Sequence, residues 1–370
     1  MHWGMITGEY PPVLSGIADY SAQVAEALAA AGDEVEVWAP EPMVQTPGVA
    51  THSLPDQFHR KGRNRLAAGI AGAGQGMHLL VQYVPHAFGY QAMNVAWTRW
   101  LARPQRPPLW VVFHEVAVRA EPGTSPRRQL QARLSQHMAR QLRRAAARTF
   151  VSTPASEGWL QELVPGSMAA TWLPVPSNLP TLTAPEAVEA VRHQLAPNGG
   201  PLVASFGRFG EFARQCLRPL LITLLEHNAA LSALLIGEGG PLLREEIAAR
   251  APELVPRLHA PGLLPAAAAA AHVGAADLLV QPYEDGISGR RGTTMAALAL
   301  GCAVLTHEGA ATEPLWRQSR AVALAAPVAL LPAAQELLGN AERRLALGEA
   351  ARRLYQEQFA LEHTTRQLRS

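Results

Sequence analysis

Short apolar runs alternate with segments of helical spacing along the whole chain. Trp3 to Thr7, Leu79 to Val84, Leu109 to Phe113 and Thr149 to Ser152 read as strands buried on both faces of a parallel sheet. After the first run comes Glu9-Tyr-Pro-Pro-Val-Leu-Ser-Gly16. Ile17, Tyr20, Val24 and Leu28 follow at helical spacing, Gly32 closes the helix, and Val35 and Val37 alternate. That is one βαβ unit. From Thr171 to Pro201 the chain is rich in proline, a composition typical of a domain boundary. A second series follows, with strands expected at Leu202 to Phe206, Ala233 to Ile236, Asp277 to Gln281 and Ala303 to Thr306. The alanine-rich stretch Pro265 to Ala271 reads as a helix by its neighbours' spacing. The pattern predicts two doubly wound α/β domains, residues 1–178 and 201–342, with a linker at 179–200. A helix is expected from Arg343 to Phe359, within a 343–370 tail.

Composition narrows the reading. A chain of 370 residues, 48% of them apolar, suits two cores and excludes a disordered protein. No run reaches the roughly 18 to 20 apolar residues of a membrane span, and Met1 to Gly8 reads as a strand without a charged signal flank. A cytoplasmic protein is expected. Cys216 and Cys302 have neither metal-ligand nor redox spacing, so no disulfide framework or zinc site is predicted. Lys61 is the only lysine, so any further anion clamp must use guanidinium groups. Nucleic-acid binding would need broader basic charge with interleaved aromatics.

Ligands of open α/β sheets bind where loops leave the carboxyl ends of strands, and glycine there lets backbone N–H groups approach phosphate. Three loops fit: Ser15-Gly16-Ile17, Phe206-Gly-Arg-Phe209 and Tyr283-Glu-Asp-Gly-Ile-Ser-Gly-Arg-Arg-Gly-Thr-Thr294. In the third, Gly286, Gly289 and Gly292 free the backbone, and Ser288, Arg290, Arg291, Thr293 and Thr294 supply donors before an apolar helix. Such a loop suits a diphosphate. The alternative is a surface loop with solvated arginines.

Across nearly the whole chain, the succession of motifs resembles the retaining glycosyltransferases of family 4, which have the GT-B fold. Pro11 to Tyr20 resembles that family's glycine loop and first helix, and Val111-Val-Phe-His-Glu115 its strand ending in histidine. Leu173-Pro-Val-Pro-Ser-Asn178 sits at its interdomain proline-asparagine segment. Ser205-Phe-Gly-Arg208, Leu235-Ile-Gly-Glu-Gly239, Ala260-Pro-Gly-Leu263, Ala276 to Pro282 and Ala299 to Val304 follow its order and approximate spacing.

The resemblance implies two Rossmann-like domains facing a cleft, a C-terminal helix at 343–370 that packs back toward the first domain, and transfer of a sugar, with retention, from a nucleotide-diphosphate donor such as a UDP- or GDP-sugar. No cofactor and no metal are expected. It implies donor contacts at Gly16, Arg208, Arg214, Glu238, Gly262, Leu263, Gly286, Ile287, Ser288, Arg290, Arg291, Gly292 and Thr293. His114 and Asp285 are implied beside the transferred sugar, and His86 and Asp19 on the acceptor side. The chain departs from the family at two places. Counting back from Gly301 places Ala296 where the family has its second donor glutamate. The first glutamate falls on Ser288 without a gap, or on the Asp285 turn if Gly289-Arg-Arg291 is an insertion. The insertion keeps a carboxylate next to a glycine turn, and it resembles a variant subgroup with Asp-Gly-x-Ser followed by Arg-Arg-Gly. The family's phosphate-binding lysine falls at Ala213 or Arg214. Glu313 is a candidate for holding the donor ribose, which the Ala296 methyl cannot do, or else an ordinary helix-terminal carboxylate, the reading its position favours.

Arg127 to Thr149 forms a basic helix candidate with Leu130, Leu134, Met138 and Leu142 on one side and no acidic residue. It suits peripheral contact with anionic lipid and a lipid-linked acceptor, or else a core helix with solvated arginines. Rival readings are a nucleotide-sugar-binding protein without transferase activity, motivated by Ala296, and a GT-B epimerase or phosphorylase. For a phosphorylase, Lys61 is a poor Schiff-base candidate.

Overall fold

The computed structural model describes residues 1–54, 56–73, 76–104, 106–120 and 123–370. The chain forms two compact units, Met1–Val175 with Leu361–Ser370, and Pro176–Ala360.

The first unit contains β1 (His2–Thr7), α1 (Gly16–Ala30), β2 (Glu34–Pro40), β3 (Ala50–Leu54), α2 (Arg60–Gly72), β4 (Met77–Tyr83), α3 (Val95–Leu101), β5 (Leu109–Phe113), α4 (Pro126–Ala145), β6 (Arg148–Val151), α5 (Pro154–Leu163) and β7 (Thr171–Trp172). The strands form one parallel sheet in the order β3-β2-β1-β4-β5-β6-β7. Their two-residue period sorts side chains into two cores. Leu79, Val81, Val111 and Phe113 join Leu66, Trp97, Met138 and Leu160 from α2 to α5. Trp3, Met5, Leu80, Trp110 and Val112 meet Tyr20, Val24 and Leu28 of α1 on the other face. Ser15 starts α1 by accepting a hydrogen bond from the Ala18 N–H.

The second unit contains α6 (Pro185–Leu195), β8 (Leu202–Phe206), α7 (Glu211–His227), β9 (Ser232–Ile236), α8 (Gly240–Ala248), β10 (Leu258–Gly262), α9 (Ala266–Gly274), β11 (Leu278–Val280), α10 (Gly292–Ala299), β12 (Val304–Thr306), α11 (Pro314–Ser319), β13 (Ala323–Leu324), α12 (Leu330–Gly339) and α13 (Ala341–Leu354). Its parallel sheet has the order β10-β9-β8-β11-β12-β13. Val203, Leu235, Leu278 and Leu305 share a core with leucines of α7, α8 and α12.

Three expectations need revision. Residues 179–200 are not a free linker: they carry α6, whose Arg192 donates to Asp277 at 2.6 Å and to the Ala275 carbonyl at 2.9 Å. The helix expected over Arg343–Phe359 is α13 followed by a π-helical turn at Tyr355–Phe359, and it belongs to the second unit. Only α14 (Leu361–Arg369) joins the first, where it packs on α1. The basic segment ends as a helix at Ala145, and its buried residues are Ala132, Ser135, Met138, Ala139, Leu142 and Arg143, leaving Leu130 exposed; Arg143 is neither solvated nor at the surface, and its Nε donates to Ser167 Oγ at 3.1 Å.

Candidate functional site

In the second unit the chain leaves β8 toward one sheet edge through β9 and β10 and returns through β11 to the other edge. The switch point therefore lies between β8 and β11, where open α/β sheets bind ligands. Gln281, buried just past β11, joins the two strands there. Its Oε1 accepts from Ser205 Oγ (3.0 Å) and Phe206 N (3.2 Å), and its Nε2 donates to the Phe206 carbonyl (2.9 Å). The side chain extends the ladder past the last paired residues and fixes where both following loops begin.

The loop after Gln281 is held from below. Ile287 is fully buried, its N–H donates to the His307 carbonyl (3.2 Å), and Ala311 N donates to Asp285 O (2.9 Å). Gly286 has φ +83°, and a Cβ there would lie 2.5 Å from Thr312 Oγ1, so this turn requires glycine. The Gly289 N–H reaches both carboxylate oxygens of Glu313 at 3.1 Å, and Trp316 Nε1 donates to the same carboxylate at 2.7 Å. Glu313 thus anchors the loop. Ser288 is buried, and its Oγ has no partner among the described residues.

On this scaffold Asp285 takes both loop arginines, Arg290 Nη2 at 3.0 Å and Arg291 Nη2 in a short contact. The Arg291 guanidinium also lies 4.6 Å over the Tyr283 ring. Burial pushes the Tyr283 pKa up, so its hydroxyl stays protonated between Thr293 Oγ1 (3.0 Å) and Thr294 Oγ1 (2.6 Å). Gly292 opens α10 without a side-chain cap, beside Asn178. A Cβ at Gly207 would sit 3.3 Å from the Thr293 methyl, so the loops after β8 and β11 meet at the first turn of α10. Asp285 and Glu313 balance the two guanidinium groups in formal charge, and the paired donors of Arg290 and Arg291 beside an uncapped helix start suit this corner to a phosphate anion.

The other donor-side residues divide. Arg208 is exposed and pairs with Glu238 at 2.9 Å, across the tips of the loops after β8 and β9. Gly262 accepts from Gly237 N at 2.8 Å, and Leu263 beyond it is exposed. Arg214 is committed elsewhere, to the Phe209 carbonyl (2.8 Å), Glu211 (2.6 Å) and Glu246 of α8 (3.1 Å). Ala296 is fully buried within α10.

In the first unit the switch point lies between β1 and β4. Gly16 is exposed at the start of α1, with open space where a Cβ would be, and Asp19 lies in the first turn. His114 follows β5 and, by the strand period, faces α1. There its ring stands edge-on to Tyr20 at 4.8 Å, and its Nε2 is 2.9 Å from Gln82 Oε1, an oxygen that can only accept. Burial drives the His114 pKa down to about 3, so the ring is neutral at physiological pH with Nδ1 left as an acceptor. His86 is exposed on the turn after β4. Gly8 lets that turn close on β1, since a Cβ there would be 2.5 Å from the Ala87 carbonyl oxygen.

The partners missed from sequence are Gln82 with Tyr20, and Gln281 with Tyr283. A signal existed: Leu-Leu-Val-Gln occurs at 79–82 and again at 278–281, each time placing an amide at the end of a switch-point strand.

The architecture is that of the GT-B glycosyltransferases. Sucrose-phosphate synthase from Thermosynechococcus elongatus superposes with a TM-score of 0.76 at 19% identity, covering 100% of this chain and 97% of that one. HepE from Anabaena, in complex with UDP, gives 0.70 at 14% identity, with 100% and 98% coverage. WaaG, a glycosyltransferase involved in lipopolysaccharide biosynthesis, gives 0.69 at 17%, with 99% and 98% coverage. More particularly, residues 15–168 match the family model of the glycosyl transferase 4-like domain. No curated protein matches the chain significantly by sequence.

Proposed function

We propose that this chain is a nucleotide-sugar-dependent glycosyltransferase that holds its donor on the second unit and transfers the sugar with retention. One observation carries the donor assignment: Arg290 and Arg291 stand beside an uncapped helix start at the sheet's switch point. There they neutralise a leaving diphosphate, the main electrostatic task in breaking a sugar–phosphate bond. Asp285 serves the sugar hydroxyls once the diphosphate draws the arginines away. His114, neutral and fixed by Gln82, hydrogen-bonds the sugar or acceptor and carries no proton through the reaction. His86 and Asp19 belong to the acceptor side, with no metal required. HepE has been crystallised with UDP and with UDP-glucose, which supports a UDP-sugar as the first donor to test.

A panel of UDP- and GDP-sugars followed by ¹H NMR should show slow release of an α-configured sugar from at least one donor. Tight nucleotide binding with no turnover of any donor would favour a non-catalytic binding protein. Two observations motivate that second reading: Ala296 lacks a carboxylate, and Asp285 is paired by both arginines.

No helix among the described residues is long and apolar enough to cross a membrane. We propose a cytoplasmic enzyme that touches the inner membrane through α4, where Leu130, Arg133 and Arg144 are exposed. Arg133→Glu/Arg144→Glu should reduce flotation with anionic vesicles, and unchanged flotation removes α4 from that contact.

A further inference from the structure

Between α2 and α3 lies an open groove of about 480 Å3, lined by Arg63, Asn64, Ala96, Arg99, Trp100 and Arg103. Its charge has one sign: no carboxylate among the described residues lines it. Some arginines elsewhere are neutralised, as in Arg192 with Asp277, Arg218 with Glu246 and Arg317 with Glu308, whereas Arg63, Arg99 and Arg103 share one groove without a carboxylate lining it among the described residues.

The groove is also built on a stiff base. Phe88, Trp97 and Trp100 stack in sequence, with centroids 5.8 and 5.2 Å apart and planes within 19°. The Arg106 guanidinium caps the stack 3.9 Å over Trp100. Arg63 Nη1 donates to the Ala96 carbonyl at 3.1 Å and ties the two walls together. Burial first, and then the charge of Arg103, push the Arg106 pKa down.

We propose that this groove is a second anion site, separate from the donor loop, that takes a phosphate group esterified to a small polyol. Forked guanidinium donors from Arg63, Arg99 and Arg103 match phosphate oxygens bidentately, and Asn64 and the Trp100 edge offer hydrogen bonds and an apolar contact to the alcohol. A soluble polyol phosphate and a phospholipid headgroup share this chemistry.

Calorimetry on the full chain with sn-glycerol 3-phosphate, and co-sedimentation with phosphatidylglycerol vesicles, separates the two sources. Binding in the first assay marks a soluble ligand, and binding only to vesicles marks a lipid. In either assay Arg99→Glu/Arg103→Glu should weaken binding at least about tenfold, and added salt should weaken it too. Arg99→Lys/Arg103→Lys, which keeps the charge but loses the paired donors, should weaken binding less than the charge reversal does. UDP affinity, read at the second unit, should not change in either variant. Absence of binding in both assays, or binding that the charge reversal leaves intact, overturns the proposal.

Discussion

Asp285 sets how much positive charge the donor loop presents. Its carboxylate meets Arg290 and Arg291 together, so an arriving diphosphate must compete with it. Asp285→Asn should tighten UDP binding about fivefold in calorimetry, an effect on the order of 1 kcal/mol for partly exposed charges. Sugar transfer should fall in the same variant. Arg291→Ala should weaken UDP binding by a similar factor without unfolding the chain, and unchanged affinity would remove it from the phosphate site. His114 gives a test in pH. Its pKa is about 3 in the folded protein against about 6.5 unfolded, so the unfolded chain binds the extra proton between those values. The resulting stability is fully present above about pH 6.5 and is lost as pH falls toward 3. His114→Gln should therefore flatten the decline of Tm between pH 6.5 and 4, whereas an unaltered slope would mean the imidazole titrates normally. The sequence made His114 and the loop arginines legible, because a strand-end histidine and a glycine-arginine cluster are visible without coordinates. Their partners were hidden: that Gln82 meets His114 follows only from the pairing of β4 with β5.

Elements were readable to the extent that their pattern was one-dimensional. The central strands have apolar side chains on both faces, so their continuous runs marked them within a residue or two. Segments whose role depends on distant partners were misread. Residues 179–200 look like a linker by proline content, yet Arg192 finds Asp277 from 85 positions away and fastens α6 to the second unit. The donor loop shows the same dependence, because its turn at Gly286 is shaped by Gly309 and Thr312 beyond β12. Gly286→Ala would force a side chain into positive φ and against Thr312, costing about 1 to 3 kcal/mol. Thermal denaturation should show the second unit destabilised and UDP affinity reduced in the same variant. An unchanged Tm with normal affinity would mean that the loop adapts without that turn.

At the scale of the whole molecule, the chain crosses from the first unit to the second at residue 176 and returns at residue 361. The returning α14 is amphipathic: Leu368 is fully buried in the core that α1 shares with β1, and Arg369 lies 3.2 Å from the buried carboxylate of Asp33. Each unit has its own hydrophobic cores, so the two should unfold as separable steps. Leu368→Ala leaves a cavity in the first unit and should destabilise it by about 2 to 5 kcal/mol, with no cost to the second. Tryptophan reports this selectively. Of the 8 tryptophans, Trp316 is the only one between residues 176 and 360, so Trp316→Phe confines the fluorescence signal to the first unit. In that background Leu368→Ala should lower the fluorescence midpoint while the calorimetric transition of the second unit stays in place. If both transitions move together, the returning helix does not serve the first unit alone, and the separation of the two cores is energetically incomplete.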